Sequence, residues 1–67
     1  MLVAEIGEII KKRRKELGIT QPRLAEIAEI SPNTLYKIER GQTNPSLLVL
    51  QKISDVLGME IQLTIKK

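Results

Sequence analysis

Apolar positions recur every three or four residues over most of this chain, then every second residue near its end. Over residues 2–17, Val3, Ile6, Ile10 and Leu17, with Ile9 beside them, form one stripe that predicts an amphipathic helix. Gly18 ends it, and Ile19 is expected to return to the core. Thr20 can cap a second helix, in whose first turn Pro22 forfeits no needed backbone bond. Leu24, Ala25 and Ala28 give that helix its apolar side, and Ala25 is small enough to let a neighbouring helix cross closely. The period breaks at Glu29-Ile30-Ser31, where the chain must turn. Ser31 then caps a third helix opened by Pro32, with Leu35, Ile38 and Glu39 inward and Gly41 as its stop. Asn33, Thr34, Tyr36, Lys37 and Arg40 are left facing out.

A polar, turn-like stretch over 41–45 leads to Ser46, which caps a fourth helix ending at Gly58. Its expected core face is Leu47, Leu50, Ile53 and Leu57. Leu48, Val49 and Val56 are apolar as well, more than a small monomer requires. From Met59 to Lys66 the period changes to two, with Met59, Ile61, Leu63 and Ile65 alternating with polar residues. That alternation predicts a half-buried strand, and an isolated strand leaves its backbone groups unsatisfied. The expected partner is the same strand of a second molecule, paired antiparallel across a two-fold axis; a short extra helix or a frayed tail is the alternative. The chain thus divides into a helical body over 1–58 and a dimerisation tail over 59–67, with Leu48, Val49, Val56, Met59, Ile61, Leu63 and Ile65 as the dimerisation residues.

Composition narrows the chemistry. Sixty-seven residues make one small domain, and a monomer of that size is marginally stable. Cys and His are both absent, which removes disulfide staples and the usual zinc or haem ligands, so no metal or cofactor is expected. Tyr36 is the only aromatic residue, too few ring faces for a single-strand stacking platform. The net charge of +3 is modest, but Lys11, Lys12, Arg13, Arg14 and Lys15 form one basic run, read either as a solvated helix face or as part of a contact with an acidic ligand. With no long apolar run, a cytoplasmic location is expected.

The segment from Thr20 to Gly41 resembles the helix-turn-helix of the Cro/C1-type (XRE) regulators, and the likeness extends from about Ile6 to Gly58. The pieces that carry it are Ile6, Ile10, Arg14, LGITQ at 17–21, LAEIA at 24–28, ISPNTLYKIERG at 30–41 and NPSLLVLQKISDVLG at 44–58. The tail resembles the C-terminal strand of HipB-like antitoxins within the same broad family. The resemblance implies a mainly α, lambda-repressor-like bundle of four helices, with the added strand paired across a dimer. It also implies a homodimer reading a palindromic operator in double-stranded DNA, most simply as a repressor.

A protein of this kind lays its second motif helix in the major groove, where Pro32, Asn33, Thr34, Tyr36 and Lys37 reach base edges. By the family's pattern the strongest readers fall on Pro32, Asn33 and Lys37. Asn33 suits adenine, Lys37 suits guanine, Tyr36 can donate its hydroxyl or pack on a thymine methyl, and Pro32 offers apolar contact alone. Phosphate contacts are expected from Gln21, Arg23, Arg40, Gln42, Thr43 and Asn44. Gln21 matches the family's phosphate anchor, with a plain first-turn polar residue as the alternative; Arg23 and Arg40 can equally be surface arginines. Arg14 and Glu39 match a family ion pair, with Arg14 alternatively a phosphate contact. Two departures stand out: Glu29 occupies a turn position usually held by Gly, and Ile27 is either extra core or an exposed patch.

Two rival classes remain. An antitoxin or bridging-type interaction module, whose main ligand is a toxin or other protein partner, fits the apolar surplus and the tail. An enzyme does not fit, because Ser31, Ser46 and Ser54 lack an activating base and the carboxylates are dispersed.

Overall fold

A computed structural model describes residues 3–66; the expected helical residue Leu2 and the tail residue Lys67 lie outside them. Four helices follow in order: α1 (Val3–Glu16), α2 (Gln21–Ile27), α3 (Pro32–Glu39) and α4 (Leu47–Leu57). The side chains of Thr20, Ser31 and Ser46 accept from the backbone N–H of Arg23, Thr34 and Val49, so each of the last three helices starts at the capping residue its sequence supplies. α4 ends in the left-handed Gly58, whose N–H donates to Ser54.

The core consists of Ile10, Leu24, Ala25, Ala28, Leu35, Ile38, Ile53 and Leu57, with Ile6, Ile19, Ile30 and Leu50 packed around it. Ala25 is fully buried, as a close helix crossing requires. A second close crossing depends on Gly7, in the middle of α1. A Cβ there would stand 2.3 Å from the Ile38 carbonyl oxygen and 2.8 Å from that of Glu39. α1 therefore rests its bare backbone on the last turn of α3. A glycine costs a helix interior about 1 kcal/mol relative to Ala, and that cost is the sign, legible in the sequence, of a packing role.

Three expectations need correction. Leu47 is not core: it is 69% exposed, because it is the first residue of α4 and lies at the edge of the face that Leu50, Ile53 and Leu57 define, a turn before the buried part of the helix. Leu17 falls past the end of α1, in the turn at Gly18, and is exposed. Over 59–66 the tail forms neither strand nor helix, and no strand occurs among the described residues. A strand needs a neighbouring backbone to complete its ladder, and none of the described residues pairs with the tail.

The tail nonetheless has an inner and an outer part. Met59 packs against the core, and its N–H donates to Ser54. Residues 59–62 and Thr64 form one lip of an apolar cleft whose other walls are Ile6, Ile9 and Ile10 of α1 and Leu50 and Leu57 of α4. Leu63 is 100% exposed, and Ile65 nearly so. Val49 and Val56, expected at a dimer contact, already pack half-buried against the core.

Candidate nucleic-acid interface

The outward face of α3 is set by what its inward face must bury. Leu35 and Ile38 anchor it, and the 100° step then places Asn33, Tyr36, Lys37 and the capping residue Arg40 together on one exposed side. Pro32 is exposed at the start of the helix. Thr34 is turned partly inward: its Oγ1 lies 2.7 Å from Ser31 Oγ, so its hydroxyl is engaged with the cap. The Arg40 guanidinium lies 5.3 Å from the centre of the Tyr36 ring, a cation–π distance. Past Arg40 the chain reverses through Gly41 at φ 69°, with Gln42 N–H donating to the Lys37 carbonyl at 2.9 Å. Gln42 and Asn44 are exposed beyond that turn, and Thr43 is half-buried.

Beneath this face lies one buried carboxylate. Glu39 is 4% exposed and accepts at both oxygens: from Arg14 Nε at 2.8 Å on Oε2, and from Arg14 Nη2 at 3.0 Å on Oε1. Gln21 Nε2 donates to the same Oε1 at 3.1 Å. Arg14 Nη1 also donates to the Ile19 carbonyl, at 3.0 Å. α1, α2 and α3 are thereby tied to one point. Such a bidentate, fully hydrogen-bonded arrangement is what a buried ion pair needs to offset its desolvation. No buried side-chain polar atom among the described residues lacks a partner.

The basic run separates into two roles. Arg14 belongs to this interior pair, and Arg13 donates from Nε to the Leu57 carbonyl at 3.0 Å, closing the C-terminus of α4. Lys12 and Lys15 remain exposed and Lys11 half-buried. Arg23 is exposed and paired with Glu26 one turn on, so its charge is partly matched in place. The spacing of like charges in the sequence did not distinguish these cases, because the long-range partners that claim Arg13 and Arg14 lie 44 and 25 residues away. The turn between α2 and α3 passes through Glu29 at φ 57°, so the left-handed conformation is retained without glycine. Ile27 is exposed.

The helix-turn-helix family profile matches residues 10–63. The chain belongs to that family. Its members are DNA-binding transcriptional regulators and not enzymes. Among relatives, the chain is 46% identical over 57 residues to the HTH-type transcriptional regulator SinR of Bacillus subtilis, covering 84% of this chain and 51% of SinR. It is 43% identical over 56 residues to the immunity repressor protein of Bacillus phage phi105, covering 84% of this chain and 39% of that protein. The chain therefore spans about half the length of SinR and less than half that of the phage repressor. In three dimensions it is similar to the restriction-modification controller protein C.AhdI of Aeromonas hydrophila, with a TM-score of 0.84 at 28% identity, over 87% of this chain and 88% of that one. Among the described residues no helix is long and apolar enough to cross a membrane, and no group of three or more acidic side chains is placed to hold a metal ion.

Proposed function

We propose that this chain binds double-stranded DNA sequence-specifically as a homodimer and represses transcription from a palindromic operator. The observation that carries the reading is the exposed face of α3, where Asn33, Tyr36, Lys37 and Arg40 stand together on a helix braced from behind by Glu39 and Arg14. Amide, phenol, ammonium and guanidinium groups are a set that can read base edges and hold phosphates. A phage immunity repressor and a controller protein among the similar proteins support the regulatory role, and the former supports repression. Two α3 helices about 34 Å apart would enter successive major grooves on one side of the duplex. Leu48, Ile61, Leu63 and Ile65 are exposed apolar residues that could join two copies, and the two tails could complete a ladder with one another.

The deciding experiment measures binding to a pool of random duplexes at two salt concentrations, followed by selection of the bound sequences. Salt-dependent binding that enriches an inverted repeat supports the proposal. A chain that ignores duplex DNA even at low salt overturns it, and the apolar tail would then point to a protein partner.

A further inference from the structure

The cleft between α1, α4 and the tail holds about 400 Å³. Its helical walls are apolar, with Ile6, Ile9 and Ile10 on one side, Leu50 and Leu57 on the other, and Ser54 as the polar exception. The tail closes it poorly. Gln62 and Thr64 lie on the cleft, whereas Leu63 between them is 100% exposed and Ile65 is 93% exposed. An extended chain sends alternate side chains to opposite sides. Beyond Ile61 the tail therefore turns polar groups to an apolar wall and apolar groups to water, and Ile9 on that wall stays 40% exposed. Rolling the tail over is opposed at its start, where Met59 is packed on the core with its N–H on the Ser54 carbonyl, and Arg13 holds the Leu57 carbonyl.

We propose that the cleft is the seat for the tail of a second copy, with Leu63 and Ile65 of each molecule entering the other's cleft against Ile6 and Ile9. The inference rests on the homodimer of the reading above and says where its tails go. A side chain that faces away from its own body is placed to meet another. Charge favours the same occupant. Glu5 and Glu8 adjoin Ile6 and Ile9, are exposed, and form no ion pair among the described residues. Lys66 adjoins Ile65 and is exposed, so an inserted tail brings an ammonium group to those carboxylates. A two-fold axis makes the contact twice and uses both tails and both clefts, which closes the assembly at two.

The test is a sedimentation series on the full chain, on Ile9→Lys, on Leu63→Glu, and on an equal mixture of the two variants. Both positions are exposed in the lone chain, so a thermal melt should show each variant folded. Alone, each variant spoils both contacts and should raise the dimer dissociation constant about tenfold or more, the scale of one lost apolar burial. In the mixture the mixed pair keeps one unaltered contact and sets an ammonium against a carboxylate at the other, so dimers should return. Should Ile9→Lys melt early, Ile9→Gln takes its place, because the mixed pair still keeps one unaltered contact. A variant that dimerises as tightly as the parent overturns the proposal, and so does a mixture that stays monomeric; in both cases the homodimer itself stands. A parent chain that is monomeric at every concentration overturns the homodimer and this inference together, and leaves the cleft to its own tail, a small apolar ligand or another protein.

Discussion

Glu29 carries a local cost that a single substitution can measure. A side chain at φ 57° brings Cβ too near the following carbonyl, a strain of about 1–2 kcal/mol that glycine avoids. Glycine returns part of this gain by loosening the unfolded chain. Glu29→Gly should therefore raise stability by about 0.5–1 kcal/mol, visible as a thermal midpoint several degrees higher. A midpoint that fell would mean that the Glu29 side chain contributes more than its backbone costs. Arg14 stands at the opposite extreme. Arg14→Ala strands the buried Glu39 carboxylate with Gln21 as its remaining donor, and should cost about 3–5 kcal/mol, a large share of what so small a domain has. Chemical denaturation of the two chains decides it; equal stability would place Arg14 among the DNA contacts alone. Lys37→Ala touches nothing inside and should leave stability within about 0.5 kcal/mol. It should weaken binding by about 1–3 kcal/mol and relax preference at one base pair, whereas equal loss on all sequences would make Lys37 a phosphate contact.

At the scale of elements, the helices were legible because their ends are written in local chemistry. Thr20, Ser31 and Ser46 each cap within three residues of themselves, so the reading needed no tertiary information. Facing was legible wherever apolar residues occupied one side only, as in α3. It failed only at the start of α4, where Leu47, Leu48, Val49 and Leu50 are consecutive and no polar residue among them separates inward from outward. Strand periodicity in the tail was equally plain in the sequence, but a strand is a property of two backbones and not of one. The α1–α3 contact was not read at all, although Gly7 was visible. Gly7→Ala should destabilise the chain by about 1–3 kcal/mol through overpacking against the Ile38 and Glu39 carbonyls, despite the better helix propensity of alanine. A thermal melt showing no loss would mean that α1 can lift off α3 without penalty.

For the whole molecule, the balance is between a lone domain and a pair. The body has a continuous core reached from all four helices, whereas Leu63 and Ile65 are left exposed among the described residues. Ending the chain at Gly58 should therefore leave the helical body folded but convert a dimer to a monomer in sedimentation, and weaken duplex binding by at least an order of magnitude, because two linked heads bind far more tightly than one. A truncated chain that still sediments as a dimer would move the interface to Leu47, Leu48 and their neighbours on α4. The site itself was only partly legible at this scale. Its outward residues could be placed from α3 alone and the Arg14–Glu39 pair from the family resemblance, but the share of Gln21 in that junction needed three helices to meet.

The alternation of buried and exposed positions along the eight residues of α3 has a consequence for how such a protein can change its target. Leu35, Ile38 and Glu39 hold the helix in place, and none of them belongs to the outward set of Asn33, Tyr36, Lys37 and Arg40. Substitutions in the outward set can thus accumulate with little effect on folding, since exposed positions are nearly neutral for stability. Mounting and vocabulary are inherited separately, so a duplicated copy of this chain is free to acquire a new operator before it needs to acquire a new fold.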